Sequence, residues 1–137
     1  HMVVVRDGND LRIRLNDEPP ENSCRPSVDV LFRSIAAAYQ DRALGVVLTG
    51  MGQDGMRGSE QLCRSGSAIL AQDEASSVVW GMAGAVVHAG LAEAVLPLNQ
   101  LSQLIIKKLH VGRPDWIPGQ PPSPPPVQSN PLCSPCH

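Results

Sequence analysis

Aromatic residues are scarce in this sequence, at 3%: one Phe, one Tyr and two Trp. Any core must therefore be aliphatic, built from Val, Leu, Ile and Ala. Neither charge is in excess, with Lys+Arg 11 against Asp+Glu 13 and a net charge of −2. The absence of a basic surplus leaves no electrostatic footprint for nucleic acid, and the absence of an acidic one gives no ground for general disorder. No stretch reaches the roughly 18 apolar residues that a membrane span needs, so no membrane insertion is expected. The first residues show no basic region followed by an apolar stretch, so no secretory signal is read and a cytoplasmic location is expected. Four cysteines (Cys24, Cys63, Cys133 and Cys136) are too few for a disulfide scaffold and read as reduced thiols. What remains is 137 residues with 42% hydrophobic content, enough for one ordinary domain.

Composition changes near Gly112. Nine of the 13 prolines fall in Pro114–His137, together with one acid and no Lys or Arg. Residues 112–137 therefore read as a proline-rich, disordered tail, and residues 1–111 as the folded body. The body opens on Val3-Val4-Val5, a turn at Asp7-Gly8-Asn9-Asp10, and the alternating Leu11-Arg12-Ile13-Arg14-Leu15, the pattern of a β-hairpin. Ser27 follows Pro26 as an N-cap, and Val28, Leu31, Ile35 and Ala38 recur at helical spacing up to about Gln40.

Strand and helix then alternate. Gly45–Thr49, Ala68–Ala71 and Ala94–Leu96 are short apolar runs of the kind buried on both faces of a parallel sheet. Between and after them lie helices predicted at 56–64, 76–89 (softened by Gly81 and Gly84) and 99–109. The fold class expected is α/β: a three-layer αβα arrangement with a mostly parallel sheet plus the N-terminal β-hairpin.

Ligands of such sheets bind beyond the carboxyl ends of the strands. Asp54 follows the first parallel strand and Asp73 the second. Asp54 sits within Thr49-Gly50-Met51-Gly52-Gln53-Asp54-Gly55-Met56-Arg57-Gly58, where four glycines let the backbone turn tightly. Two readings of Asp54 stand side by side. It caps the helix that follows it, or it is an ionised acid that orients the base of a nucleophile–base–acid relay. Gly50, Gly52 and Gly55 also match Gly-x-Gly-x-x-Gly, and Asp73 ends the next strand, which is the context of a dinucleotide site. Against that stands the charge of Asp54 in the very turn where a pyrophosphate would lie. Asp73 reads as a loop acid or as a cap for the helix expected from Ser76.

Two stretches carry a family resemblance. They are Leu48-Thr49-Gly50-Met51-Gly52-Gln53-Asp54-Gly55 and Ala71-Gln72-Asp73-Glu74-Ala75-Ser76-Ser77-Val78-Val79-Trp80-Gly81-Met82, with Arg25–Phe32 and Val95–Leu98 in the same order. Together they resemble the catalytic domain of CheB-type protein-glutamate methylesterases, over about residues 1–109. The resemblance implies a serine hydrolase that removes methyl esters from glutamates of bacterial chemoreceptors, resetting adaptation in chemotaxis. It makes Asp54 the triad aspartate and places Met51, with Gly50 and Gly52, along the substrate site. The methylated chemoreceptor is the implied protein substrate, and a receiver domain is the family's usual N-terminal companion.

Two family motifs are not found here: the Gly-rich serine motif of the nucleophile, and the base histidine that follows a strand soon after it. His1-Met2 resembles the hairpin start downstream of that histidine, so His1 is not taken as the base. Met82-Ala83 stands where the family usually has Met-Pro. The chain therefore reads as an incomplete domain, the C-terminal part, inactive by itself and needing the N-terminal half as partner; self-association through uncovered surface is a further expectation. The alternative is a non-catalytic partner-binding module of the same descent. Ser76, Ser77 and His88 do not offer a substitute triad, because on one helix Ser77 and His88 would stand roughly 16 Å apart. His88 and His110 read as helix-end residues. Cys133-Ser-Pro-Cys136-His137 matches a haem-attachment or metal half-site pattern, yet nothing around it encloses a haem or completes four ligands. No cofactor and no metal are expected.

Overall fold

The computed structural model describes residues 1–111. The proline-rich segment 112–137, with Cys133, Cys136 and His137, lies outside the described residues. The chain opens on β1 (Met2–Asp7) and β2 (Asp10–Leu15), paired antiparallel with Met2 opposite Leu15 and Val4 opposite Ile13. Gly8, at a φ of 64°, supplies the left-handed residue that this tight turn requires. Helix α1 (Val28–Tyr39) lies along the free edge of β1, where the amide of Val4 donates to Ser34 Oγ at 2.9 Å.

The second sheet is parallel, in the order β3 (Leu44–Val47), β4 (Ala68–Gln72), β5 (Ala94–Leu96). Helix α2 (Met56–Arg64) joins β3 to β4, and α3 (Met82–His88) joins β4 to β5. Alternation along a strand sends Gly45, Val47, Ile69 and Ala71 to one face. There they meet Phe32 and Ala36 of α1, Leu62 and Cys63 of α2, and Ala83 and Val86 of α3. Leu70 points to the other face, which α4 (Leu98–Val111) covers with Leu101 buried. Three helices, a sheet and a fourth helix form the expected three layers. Leu62, Ile69 and Leu70 are almost wholly buried, each worth about 1.5–3 kcal/mol of transfer free energy. At Gly58 the first turn of α2 crosses α1 so closely that a Cβ would lie 2.6 Å from Phe32 Cβ and 3.0 Å from the Cα of Asp29.

One element departs from expectation. Helix α3 begins at Met82, and residues 76–81 are not helical. This segment is bound sideways to the end of β3. Thr49 Oγ1 donates to the carbonyl of Val79 and accepts from its amide, both at 3.0 Å. The amide of Gly50 donates to Val79 O at 2.9 Å, and those of Gly81 and Met82 donate back to Gly50 O at 3.0 and 2.9 Å. These bonds, made across some 30 residues of sequence, outweigh the weak helix preference of a Gly-containing stretch. Buried Gln72 completes the staple, accepting from the Thr49 amide at 2.9 Å and donating to Ser76 O at 2.8 Å.

Candidate active site

The glycine-rich loop runs from the end of β3 into α2. It packs backbone to backbone against residue 81, where a Cβ on Gly81 would stand 2.8 Å from Gly50 O and 2.9 Å from Gly52 N. Gly52 and Gly55 hold φ values of 79° and 96°, so the loop doubles back twice before α2 starts. Met51 projects outward at 79% exposure, beside Gly50 and Gly52, whereas Asp54 is turned inward and only 7% exposed.

The carboxylate of Asp54 does not cap α2, whose N-cap position is Gly55. It caps α1 instead. Its Oδ2 accepts the Val28 amide at 2.7 Å, and its Oδ1 accepts Ser27 Oγ at 2.7 Å and the Asp29 amide at 3.1 Å. Ser27 occupies the expected N-cap position of α1, yet its hydroxyl makes no bond to that helix; Asp54 supplies the capping oxygens. The reading of Asp54 as a cap for its own helix is thus corrected, because its partners lie 25 to 27 residues earlier in the chain. Burial alone would raise the Asp54 pKa, but the Ser27 hydroxyl and the Val28 and Asp29 amides outweigh it and hold the carboxyl below its usual range.

The first turn of α2 is satisfied by another acid. Asp29 Oδ1 accepts the amides of Gly55 at 3.0 Å and Gly58 at 2.6 Å, and its Oδ2 accepts Asn22 Nδ2 at 2.8 Å. A dinucleotide needs those amides for its pyrophosphate. Here an internal carboxylate already holds them, so the Gly50–Gly55 match forms no open phosphate cradle.

Four residues of this cluster are not singled out as site residues by the sequence: Asn22, Ser27, Asp29 and His1. His1 is buried, its Nδ1 accepting the Ser27 amide at 3.1 Å and its Nε2 lying 2.9 Å from Pro19 O. An acid in the first turn of α1 was the one local signal for Asp29, and it points to an ordinary helix-start charge.

The other candidates do not join this cluster. Asp73 closes a local turn, accepting the Ser76 amide at 3.1 Å and the Ser76 hydroxyl, so it caps a turn and not a helix. Ser77 Oγ donates to Asp73 O at 2.6 Å, and His88 packs edge-on against Trp80 with ring centres 5.3 Å apart. A cleft of about 500 Å³ at the carboxyl ends of β4 and β5 is lined by Asp73, Ala75, Ser76, Pro97, Leu98 and Asn99, without Met51 or Asp54. Cys24 lies in the loop before α1, and Cys63 in α2 donates to Leu91 O at 3.4 Å. Among the described residues no group of three or more His, Cys, Asp or Glu is placed to hold a metal ion.

The chain is an α/β protein that holds a buried, hydrogen-bonded acid in a glycine turn beyond the carboxyl end of a parallel strand, the end at which ligands of such sheets bind. Residues 1–105 match the family model for the CheB methylesterase, and the chain belongs to that family. It is 56% identical over 109 residues to the protein-glutamate methylesterase/protein-glutamine glutaminase of Trichodesmium erythraeum, covering 80% of this chain and 31% of that protein. A Nocardioides relative of the same name is 53% identical over 118 residues, covering 86% and 32%. The Thermotoga maritima CheB methylesterase catalytic domain superposes with a TM-score of 0.77 at 30% identity, over 79% of this chain and 57% of that one. The chain thus spans about a third of the length of these curated relatives.

Proposed function

We propose that this chain is the aspartate-bearing part of a protein-glutamate methylesterase acting on methylated chemoreceptors in chemotaxis. The observation that carries the reading is Asp54: an acid held ionised and nearly buried, in a loop that matches the family by motif. In the proposed reaction, a serine outside these 137 residues attacks the glutamyl ester carbonyl. A histidine, also outside them, takes the serine proton. Asp54 accepts the other imidazole N–H, fixes the tautomer and stabilises the imidazolium that forms. Methanol leaves, and water releases the glutamate. The same acyl chemistry on a glutamine side chain would expel ammonia, the second activity in the relatives' names. Met51, exposed beside Gly50 and Gly52, lines the approach to the ester.

The test is methanol release from a methylated receptor peptide, with the chain alone and combined with a polypeptide carrying the rest of a CheB catalytic domain. The chain alone gives the buffer blank. The combination is active, and Asp54→Asn lowers its turnover by up to about 10⁴ with the fold intact. Asp73→Asn, the control, leaves turnover unchanged. Equal turnover in the unmutated and Asp54→Asn combinations overturns the assignment.

A further inference from the structure

The N-cap residue of a helix normally turns a side-chain oxygen onto that helix's first amides, and at α2 this position is held by Gly55, which has no side chain to offer. Asp54, one residue before that cap, bonds to none of them; Gly55 and Gly58 donate to Asp29 instead. The two acids have exchanged helices, Asp54 serving α1 and Asp29 serving α2. The exchange distributes the donors on Asp54 unevenly. Within hydrogen-bond distance Oδ1 receives two, Ser27 Oγ and the Asp29 amide, and Oδ2 receives one, the Val28 amide, while the Asn22 side chain, bonded to Asp29, stands near enough to favour the ionised carboxyl as well. A carboxylate oxygen has two lone pairs, so Oδ1 is filled and Oδ2 keeps one acceptor position. Ser27 is itself held from behind. Its amide donates to His1 Nδ1, which makes Nδ1 an acceptor and puts the ring proton on Nε2, toward Pro19 O. Ser27 and Asp29 are each 1% exposed.

We propose that Ser27 and Asp29 are positioning residues for Asp54: Ser27 saturates Oδ1, Asp29 holds the first amides of α2 so that Asp54 faces α1 alone, and Oδ2 is left as the oxygen offered to the imidazole N–H. This rests on the reading of Asp54 as the orienting acid. It assigns work to two side chains that would otherwise only join α1 to α2.

The first test is a pH titration of amide proton resonances in the unmutated 137-residue chain. An amide that donates to a carboxylate shifts when the carboxylate is protonated. Val28 and Asp29 amides are expected to follow the Asp54 carboxyl, and Gly55 and Gly58 amides are not. Gly55 and Gly58 following Asp54 overturns the proposal, and this needs no variant to fold. Ser27→Ala should then raise the Asp54 midpoint, because the hydroxyl that bonds the ionised form is gone; a folded variant with an unmoved midpoint also overturns it. In the combination with the rest of the domain, Ser27→Ala and Asp29→Ala should lower kcat about ten- to hundredfold with KM within about twofold. Asp29→Asn, which keeps the Oδ1 acceptor, should retain most of the activity. Full turnover in Asp54→Asn strikes the reading of Asp54 itself and leaves the titration outcome intact, so the two failures are told apart.

Discussion

Asp54 couples its surroundings to proton concentration. Its folded pKa lies below the ordinary carboxyl value, through bonds from Ser27, Val28 and Asp29 that overcome the cost of burial. A depressed carboxyl stabilises the fold fully above the unfolded pKa of about 3.9, and that contribution is lost as the pH falls through the lower folded value. Melting temperatures from pH 7 down to pH 3 should therefore fall more steeply for the unmutated chain than for Asp54→Asn. Parallel curves would remove Asp54 from the acid response. Glu21 is depressed in the same direction by its paired bonds from Arg33 at 2.5 and 2.6 Å. That pair is partly exposed, so Glu21→Gln should change the slope far less. Asp54 was legible in the sequence as a candidate because glycines crowd around it. Its partners were not, because Ser27 and Asp29 reach it only through the crossing of α1 and α2, which no local pattern encodes.

Among the elements, the strands and helices with strong periodicity were legible, and the hairpin, α1, α2, α4 and the three parallel strands stand within a few residues of expectation. Residues 76–81 were not, since Thr49, Gly50 and Gln72 hold them from another part of the chain. The same junction predicts how two neighbouring glycines differ. At Gly81 an added Cβ would meet the backbone of Gly50 and Gly52 at 2.8 to 3.0 Å, with no flexible atom to yield. Gly81→Ala should cost about 1–3 kcal/mol, the range for overpacking. At Gly52 the space is open but φ is 79°, so Gly52→Ala should cost only about 1 kcal/mol, through backbone strain. Urea denaturation of both variants checks the order; a Gly52 variant less stable than the Gly81 variant contradicts it.

On the scale of the whole molecule, the hairpin leaves one side uncovered. Met2, Val4, Ile13 and Leu15 share a face, and Ile13 and Leu15 are 68% and 82% exposed. The parallel sheet also has free edges at β3 and β5 among the described residues. Apolar faces and strand edges of this kind favour association. The 137-residue chain should elute as more than a monomer, or bind a hydrophobic reporter dye. Ile13→Lys with Leu15→Lys should reduce both signals. A monomer that binds no dye would show these faces to be inert. The layers were legible from the alternation of apolar runs. The bare hairpin face was not, since Ile13 and Leu15 alternate with Arg12 and Arg14 just as core residues do.

The exchanged caps also bear on how the protein opens. A helix end capped by its own residues can fray alone, whereas here α1 cannot lose its first turn without Asp54 releasing it, nor α2 its first turn without Asp29. Local opening events become one shared event for both helix starts. The amides of Val28, Asp29, Gly55 and Gly58 should therefore trade hydrogen for deuterium at closely similar opening free energies, although 25 residues or more separate the two pairs. Replacing Asp29 with Ala should speed exchange at all four positions together, making α1 and α2 a single cooperative unit joined through the carboxylates of Asp29 and Asp54.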